Sequence, residues 1–193
     1  LLSFIVLFFV LILMPLYLLY VAEYSFDRIG YMMMAVPVSL IIVSPLSGIL
    51  FDRIGAKYLT LSGLFITGTA VFLLSAITET SSAADIAWRL VLLGCGQSIF
   101  LSPNTASVLS QVSFEDTGIS AAMLATCRNL GMVIGAAAAG LIFSIFFQKF
   151  SGGMNLREYT AAQLPDFMRS FSYALYVAAA AAFLGSFLSL QRE

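Results

Sequence analysis

The sequence predicts an all-α membrane protein built as one bundle of six transmembrane helices. Hydrophobic residues make up 61% of the 193 residues and charged residues only 10%, whereas an ordinary soluble domain is roughly one quarter charged. The apolar residues gather in six runs, each near the about 20 residues that a helix needs to cross a bilayer. The alternation typical of membrane β-strands is missing. The lipid bilayer is therefore the expected surrounding of the chain and its first partner.

The six runs follow one another with mostly short polar connections. The second run contains Pro37 and Pro45, which neighbouring helices tolerate in a membrane bundle. The longest connection, residues 148–169, is polar and long enough for a short surface helix, and Pro165 suits the first turn of a helix. The spans are predicted at residues 2–21, 31–50, 58–77, 86–112, 119–147 and 170–190.

The chain begins at Leu1, inside the first apolar run and without a methionine. No basic segment precedes this run, which is also too long for the core of a signal peptide. We therefore expect upstream sequence, an amino-terminal part, to be missing. Basic residues fall on both sides of the predicted bundle, so that composition leaves its orientation open.

Residues suited to catalysis or metal binding are scarce. Histidine is absent, and the two cysteines, Cys95 and Cys127, lie in apolar runs, so neither a metal cluster nor a disulfide is predicted. No Asp or Glu lies deep in a predicted span, which leaves a membrane-embedded enzyme without a buried base. The net charge of −1 is too small to indicate nucleic acid. We predict no enzyme activity, no cofactor, no metal site and no nucleic-acid partner.

The connection between the second and third spans carries the most specific motif. It reads Gly-Ile-Leu-Phe-Asp-Arg-Ile-Gly-Ala-Lys over residues 48–57. Gly48 would let the second helix approach a neighbour closely, and Gly55 would permit a sharp reversal. Asp52 is predicted to precede the third helix, where exposed amide groups favour a carboxylate. A solvated hairpin with a few anchoring charges is the alternative interpretation of these residues.

This connection resembles the signature loop of the major facilitator superfamily of transporters, Gly-x-Leu-x-Asp-Arg-x-Gly followed by basic residues. Ala56 departs from that pattern by replacing one basic residue, which weakens the expected latch. The resemblance implies a cytoplasmic loop whose charges latch two six-helix halves together in one access state. It also implies that the chain is the carboxy-terminal half of such a fold, a 3+3 helix repeat. The matching positions are Gly48, Leu50, Asp52, Arg53, Gly55 and Lys57.

Residues 94–135 resemble the fourth and fifth helices in the second half of fourteen-span drug:proton antiporters. Relatives of that kind often carry basic residues where this chain has Glu115 and Asp116. The resemblance implies proton-coupled export of drugs or other amphipathic small molecules by alternating access, in a plasma membrane that is expected to be a bacterial inner membrane. Its implied partners are protons, the small-molecule substrate and the missing amino-terminal half. The matching positions are Gly94, Gly96, Pro103, Gly118, Arg128, Gly131 and Gly135.

The fourth span is the most polar one. Gln97, Asn104 and Gln111 recur every seven residues, a spacing that places them in one stripe of a helix. Amides that face lipid are costly, so the stripe is predicted to face the bundle or a wet cavity. Hydrogen bonding between helices and lining of a substrate cavity both remain open. Hydroxyl groups lie beside the stripe at Ser98, Ser102 and Thr105.

The family resemblance favours a cavity, because the first and fourth helices of each half line it in that family. The first span would then contribute Met14, Tyr17 and Tyr20, an adaptable surface for a bulky apolar substrate. Anchoring in the membrane interface is the alternative role for these tyrosines.

Arg128 is the only ionisable residue well inside a predicted span. It lies roughly 13 Å from the start of the fifth helix, at about 1.5 Å per residue. A charge at that depth needs a partner or water, which points to coupling with the other half; snorkelling towards the surface is the alternative. Gly131 and Gly135 form a GxxxG pair, predicted to pack against the other half.

The sequence as a whole predicts half of a secondary active transporter. Because no carboxylate lies deep in a span, the proton site is expected in the missing half, and this chain alone would not transport. Two alternatives stay open. One is a twelve-span facilitator that imports or exports a nutrient or metabolite, and the other is a non-transporting membrane sensor or scaffold of the same fold.

Overall fold

The computed structural model describes residues 1–113, 115–154, 156 and 159–190. Every regular element in this part of the chain is helical. A 3-10 turn, Ala161–Gln163, stands just before the last helix. The α-helices are α1 (Leu2–Tyr20), α2 (Phe26–Met33), α3 (Ala35–Ile54), α4 (Ala56–Ser75), α5 (Ala83–Leu109), α6 (Thr117–Phe150) and α7 (Leu164–Leu190).

Six segments are long and apolar enough to cross a membrane, because α2 and α3 together form one span, Phe26–Ile54. Helix α2 ends at Met33, and Pro37 lies in the first turn of α3. Proline has no amide hydrogen to donate to the carbonyl four residues earlier, here that of Met33, which interrupts the helix at this point. The six-helix, all-α prediction is confirmed, and the chain is a multi-pass membrane protein.

The ends of several spans differ from the predicted ones. The second span begins at Phe26 instead of 31, and α5 ends at Leu109 instead of 112. Helix α5 also begins earlier, at Ala83, because the Ser82 hydroxyl accepts a hydrogen bond from the Asp85 amide at 3.2 Å and caps the first turn. Hydropathy locates the part of a helix that faces lipid. The helix itself can extend beyond that part to a capping residue, as α5 does at Ser82.

The long polar connection also differs from the prediction. Helix α6 continues to Phe150, and α7 begins at Leu164, so the described residues of this connection contain no separate surface helix. Pro165 occupies the first turn of α7, as predicted. Asn155, Arg157 and Glu158 lie outside the described residues.

Helix α4 connects the two sides of the bundle. It packs against α5 and α7; α3 packs against α5, and α1 packs against α6 and α7. Helices α4 and α5 approach closely, since a Cβ added at Gly96 would lie 2.6 Å from the backbone nitrogen of Thr67. The largest fully buried aromatic side chains come from α1, α6 and α7. They are Tyr17, Phe143, Phe147, Phe167 and Phe171.

Burial is uneven among the spans. In their most apolar stretches, 56% of α1 is buried, against 17% of the α2–α3 span and 28% of α6. Large apolar side chains such as Ile42, Leu46, Val133 and Leu141 are exposed on α3 and α6. Helices α3 and α6 therefore lie on the exposed side of the bundle, and α1 belongs to its interior.

Candidate functional site

A groove of about 780 Å³ lies between α3, α5 and α6. Most of its lining is apolar, and its polar side chains carry four hydroxyl groups and one guanidinium. We call it the α3–α5–α6 groove. It is lined by Leu40, Ile41, Ser44, Pro45, Ser98, Leu101, Ser102, Thr105, Ala106, Leu109 and Arg128.

The hydroxyl row of α5 follows from helical spacing. Ser98, Ser102 and Thr105 are four and three residues apart, which places them on one side of the helix. Ser98 donates to the Leu40 carbonyl of α3 at 3.1 Å, and Thr105 donates within α5 to the Leu101 carbonyl at 2.9 Å. The donors of Ser98 and Thr105 are thus used in the fold. Ser98 is buried, whereas the hydroxyl oxygens of the half-buried Ser102 and Thr105 remain able to accept hydrogen bonds from a ligand.

Arg128 brings a positive charge to the groove from α6. It is half-buried, and its guanidinium carbon lies 5.4 Å from the centre of the Phe4 ring of α1, a favourable cation–π distance. Its buried Nε has no hydrogen-bond partner among the described residues. None of the groove's lining residues is a carboxylate, so the charge is not neutralised from within the groove.

The amide stripe of α5 does not face this groove. Gln97 is fully buried, and its Oε1 accepts a hydrogen bond from the Ser3 hydroxyl of α1 at 2.9 Å. Asn104 lines a different cavity of about 380 Å³ near the start of α1, and Gln111 lies beyond the end of α5. Of the two roles left open for the stripe, Gln97 therefore has the hydrogen bond between helices, which locks α5 to α1, and it does not line the α3–α5–α6 groove.

The predicted contribution of the first span is also corrected. Met14 and Tyr17 are fully buried in the core, where the Tyr17 hydroxyl donates to the Thr78 carbonyl at 2.7 Å and its ring lies 5.3 Å from that of Phe171. They are structural residues, because neighbouring helices cover them completely. Tyr20 is half-buried at the end of α1, 5.2 Å from the ring of Tyr159, and does not line the α3–α5–α6 groove.

Helix α3 supplies the side of the groove that the sequence did not reveal. Leu40, Ser44 and Pro45 line it, although the predicted cavity included only the first and fourth spans. The sequence feature that could have indicated this side is Ser44 beside Pro45 in a mostly apolar run, because a hydroxyl that faces lipid is costly.

The GxxxG pair of α6 packs inside this chain. A Cβ added at Gly131 would lie 2.8 Å from the Leu1 carbonyl oxygen, and one at Gly135 would lie 2.9 Å from the Ile5 Cα. Both glycines are buried, and both therefore serve the close approach of α6 to α1. The prediction that they pack against the other half is wrong.

The signature segment is a helical corner with a single linking residue. Gly55 separates α3 from α4 with φ 85°, a left-handed conformation that favours glycine. Asp52 and Arg53 lie in the last turn of α3, so Asp52 is not at the amino-terminal end of α4, where it was predicted to be. A Cβ added at Gly48 would meet nothing within 4 Å, so the predicted close approach there is absent among the described residues.

The charges of this corner point outwards. Asp52, Arg53 and Lys57 are exposed, and within the described part of the chain the one ion pair is Arg89–Asp85 at 3.1 Å. Leu50 is also exposed, by 38%. The corner therefore presents unpaired charges of both signs at the surface.

Comparison with known proteins identifies the family. Residues 1–192 match the model of the Major Facilitator Superfamily. The chain is 32% identical over 133 residues to the uncharacterized transporter YebQ of Escherichia coli, an alignment that covers 69% of this chain and 29% of the relative. It is 31% identical over 180 residues to the riboflavin transporter RibZ of Clostridioides difficile, covering 92% of this chain and 38% of the relative.

A third relative, the multidrug resistance protein Stp of Mycobacterium tuberculosis, is 31% identical over 124 residues, covering 64% of this chain and 23% of the relative. The chain thus spans well under half the length of each of these relatives. Two of the three are named transporters and the third is named a multidrug resistance protein, and the six-span helical bundle corresponds to one half of a Major Facilitator Superfamily fold. The chain belongs to the Major Facilitator Superfamily.

Proposed function

We propose that the chain forms one half of a secondary active transporter that exports amphipathic small molecules in exchange for protons. The observation that carries this proposal is the α3–α5–α6 groove. Its apolar walls suit the hydrophobic part of a substrate, and the half-buried hydroxyl groups of Ser102 and Thr105 offer hydrogen-bond acceptors. A site of this kind, largely apolar with a few polar groups, is typical of small-molecule binding.

Arg128 has a specific role in this proposal. A cation that is half-buried inside a membrane span is costly unless it interacts with an anion, a dipole or water. We assign it the interaction with a polar or anionic part of the substrate, or with the other half during the change of access. Both roles require the charge to stay in the groove, and both predict that its removal slows transport.

Proton coupling is proposed to depend on a carboxylate outside this chain. The acidic residues within its described helices lie close to helix ends, at Asp27, Asp52, Asp85 and Asp166. A proton carrier for transport needs to be alternately accessible from both sides, which favours a position near the middle of the membrane. The Asp52–Arg53 corner is proposed to be cytoplasmic and to latch the two halves in one access state, in a bacterial inner membrane.

A transporter of a vitamin or other metabolite is the second candidate. It is favoured by the relative named a riboflavin transporter, whose similarity extends over 92% of this chain. The two candidates use the same groove and differ in substrate. A panel that contains both neutral or anionic amphipathic drugs and flavins would separate them.

The test is accumulation of such a panel in cells that lack or overexpress the full-length gene. We expect overexpression to lower accumulation of at least one compound, and an uncoupler to abolish the difference. Arg128→Ala should lower the transport rate about tenfold, which corresponds to about 1.4 kcal/mol, with Arg28→Ala on α2 as the control. Accumulation that is unchanged by deletion and by overexpression would contradict export and favour a non-transporting role.

A further inference from the structure

A second groove, of about 520 Å³, lies at the opposite end of the bundle from the Gly55 corner, where α4 ends and α7 begins. We call it the α4–α7 groove. Its floor is apolar and comes from Ile77, Leu164 and Met168, and its rim is polar and aromatic. The rim residues are Thr78, Glu79, Pro165, Arg169, Ser172, Tyr173 and Tyr176.

The rim carries two opposite charges that do not pair with each other. Glu79 and Arg169 both line the groove, both are exposed, and the described residues contain no ion pair between them. The Arg169 guanidinium carbon lies 5.6 Å from the centre of the Phe150 ring, within cation–π range. The groove therefore offers a cationic and an anionic group, separated by an apolar floor.

The position of the groove matches the interface of a bilayer. Arg169 lies five residues into α7, roughly 8 Å from its start at about 1.5 Å per residue. Tyr173 and Tyr176 follow within the next two turns. Tyrosine is enriched at the membrane–water boundary, and a long arginine side chain can reach that boundary with its charged end. The groove is thus at the level of lipid head groups.

An apolar path leads from the groove towards the middle of the membrane. The ring of Tyr176 lies 5.9 Å from that of Phe72 on α4. Phe72, Phe65 and Leu184 are all more than half exposed on the same pair of helices. An acyl chain that leaves the groove would find a continuous apolar surface on α4 and α7.

We propose that the α4–α7 groove binds a zwitterionic phospholipid whose head group ends in a primary ammonium. Arg169 takes the phosphate, Glu79 takes the ammonium, and an acyl chain lies along α4 and α7. An anionic head group without an ammonium meets the Glu79 carboxylate and is disfavoured. A quaternary ammonium has no N–H to donate to that carboxylate and forms the weaker contact.

The test uses the full-length gene product, purified in detergent, with lipid retention measured by native mass spectrometry. Phosphatidylethanolamine, phosphatidylglycerol and phosphatidylcholine with identical acyl chains are titrated separately. We expect about tenfold tighter retention of phosphatidylethanolamine than of phosphatidylglycerol, the preference that about 1.4 kcal/mol produces. Glu79→Gln should remove this preference by weakening the retention of phosphatidylethanolamine and raising that of phosphatidylglycerol, and Arg169→Gln should weaken the retention of all three lipids.

Matched controls lie on α2 at the same end of the bundle, where Asp27→Asn and Arg28→Gln change equivalent charges outside the groove. They should leave the lipid preference unchanged. If Arg169→Gln fails to fold, Arg169→Lys tests the same role. It keeps the charge and should retain most of the lipid binding. Equal retention of the three lipids by the wild type would overturn the proposal, as would wild-type retention of phosphatidylethanolamine by both Glu79→Gln and Arg169→Gln.

Discussion

The two sides of α5 carry polar residues of similar kind into different surroundings. On one side, Gln97 is fully buried and accepts a hydrogen bond from Ser3 of α1. On the other side, Ser102 and Thr105 line the α3–α5–α6 groove. A polar residue in a membrane helix therefore either locks helices together or remains open to a ligand. We expect substitutions on the interior side to change stability, and substitutions on the open side or at its rim to change transport.

The α1–α6 contact should give the largest effect on stability. At Gly135 any added side chain meets the backbone of Ile5, which cannot move without separating the two helices. Gly135→Leu should lower the free energy of unfolding by roughly 3 kcal/mol or more, at or above the upper end of the usual cost of overpacking. The measurement is the fraction of monodisperse protein in detergent and its melting temperature.

Gly140→Leu is the matched control for this substitution. It lies on the same helix, and a Cβ there meets nothing within 4 Å. The control should fold like the wild type. If the two variants melt at the same temperature, the α1–α6 contact does not carry the stability that the geometry assigns to it.

The Ser3–Gln97 pair should give the next largest effect. Ser3→Ala would remove the partner of the Gln97 Oε1, while its Nε2 already lacks a partner among the described residues. A buried polar group left unpaired costs about 1–3 kcal/mol, so Ser3→Ala should destabilise the protein by that amount. The double variant Ser3→Ala with Gln97→Leu should recover most of the loss, because it removes both polar groups. A double variant less stable than Ser3→Ala would indicate that Gln97 acts through other contacts.

Substitution of a charged residue at the Gly55 corner should change the transport rate and not the stability. Asp52 is exposed and makes no ion pair within the described residues, so its charge contributes little to the fold of this chain. Asp52→Asn should lower the transport rate about tenfold, equivalent to about 1.4 kcal/mol, and leave the melting temperature and membrane insertion unchanged. Asp27→Asn, another exposed carboxylate, is the control. Normal transport by Asp52→Asn would remove the latch from the proposal.

The sequence predicted the features that depend on local requirements, and not those that depend on which helices lie side by side. Hydropathy predicted the six spans because each span must be apolar over the thickness of the bilayer. The motif predicted the reversal at Gly55 because a left-handed residue there is a local requirement. The seven-residue spacing of Gln97 and Asn104 gave their angular position on α5, but not which helix lies opposite.

Contacts between distant segments decide the remaining features. Helix α1 became interior because Gly131 and Gly135, more than a hundred residues later, let α6 cover it. Helix α7 also covers α1 and packs Phe171 on Tyr17, and local sequence alone could not distinguish the buried Met14 and Tyr17 from cavity residues. For the same reason the α3 side of the groove was missed, since its place is set by packing against α5.

The smallest predicted effect concerns the cover over the end of α1, where Tyr159 lies between Tyr20 and Phe167 with ring distances of 5.2 and 5.6 Å. Burial raises the pKa of the Tyr159 hydroxyl, and the Glu23 carboxylate raises it further. Because the folded state holds this proton more tightly than the unfolded chain, the resulting stability is complete below the unfolded pKa and is lost as pH rises through the folded pKa.

Between about pH 9 and pH 11, around the ordinary tyrosine pKa, the wild type should lose more stability than Tyr159→Phe, by roughly 1–2 °C in melting temperature. Tyr31→Phe, at a residue that is 76% exposed, should follow the wild type over this range. Equal alkaline losses in Tyr159→Phe and the wild type would mean that the end of α1 is open to water.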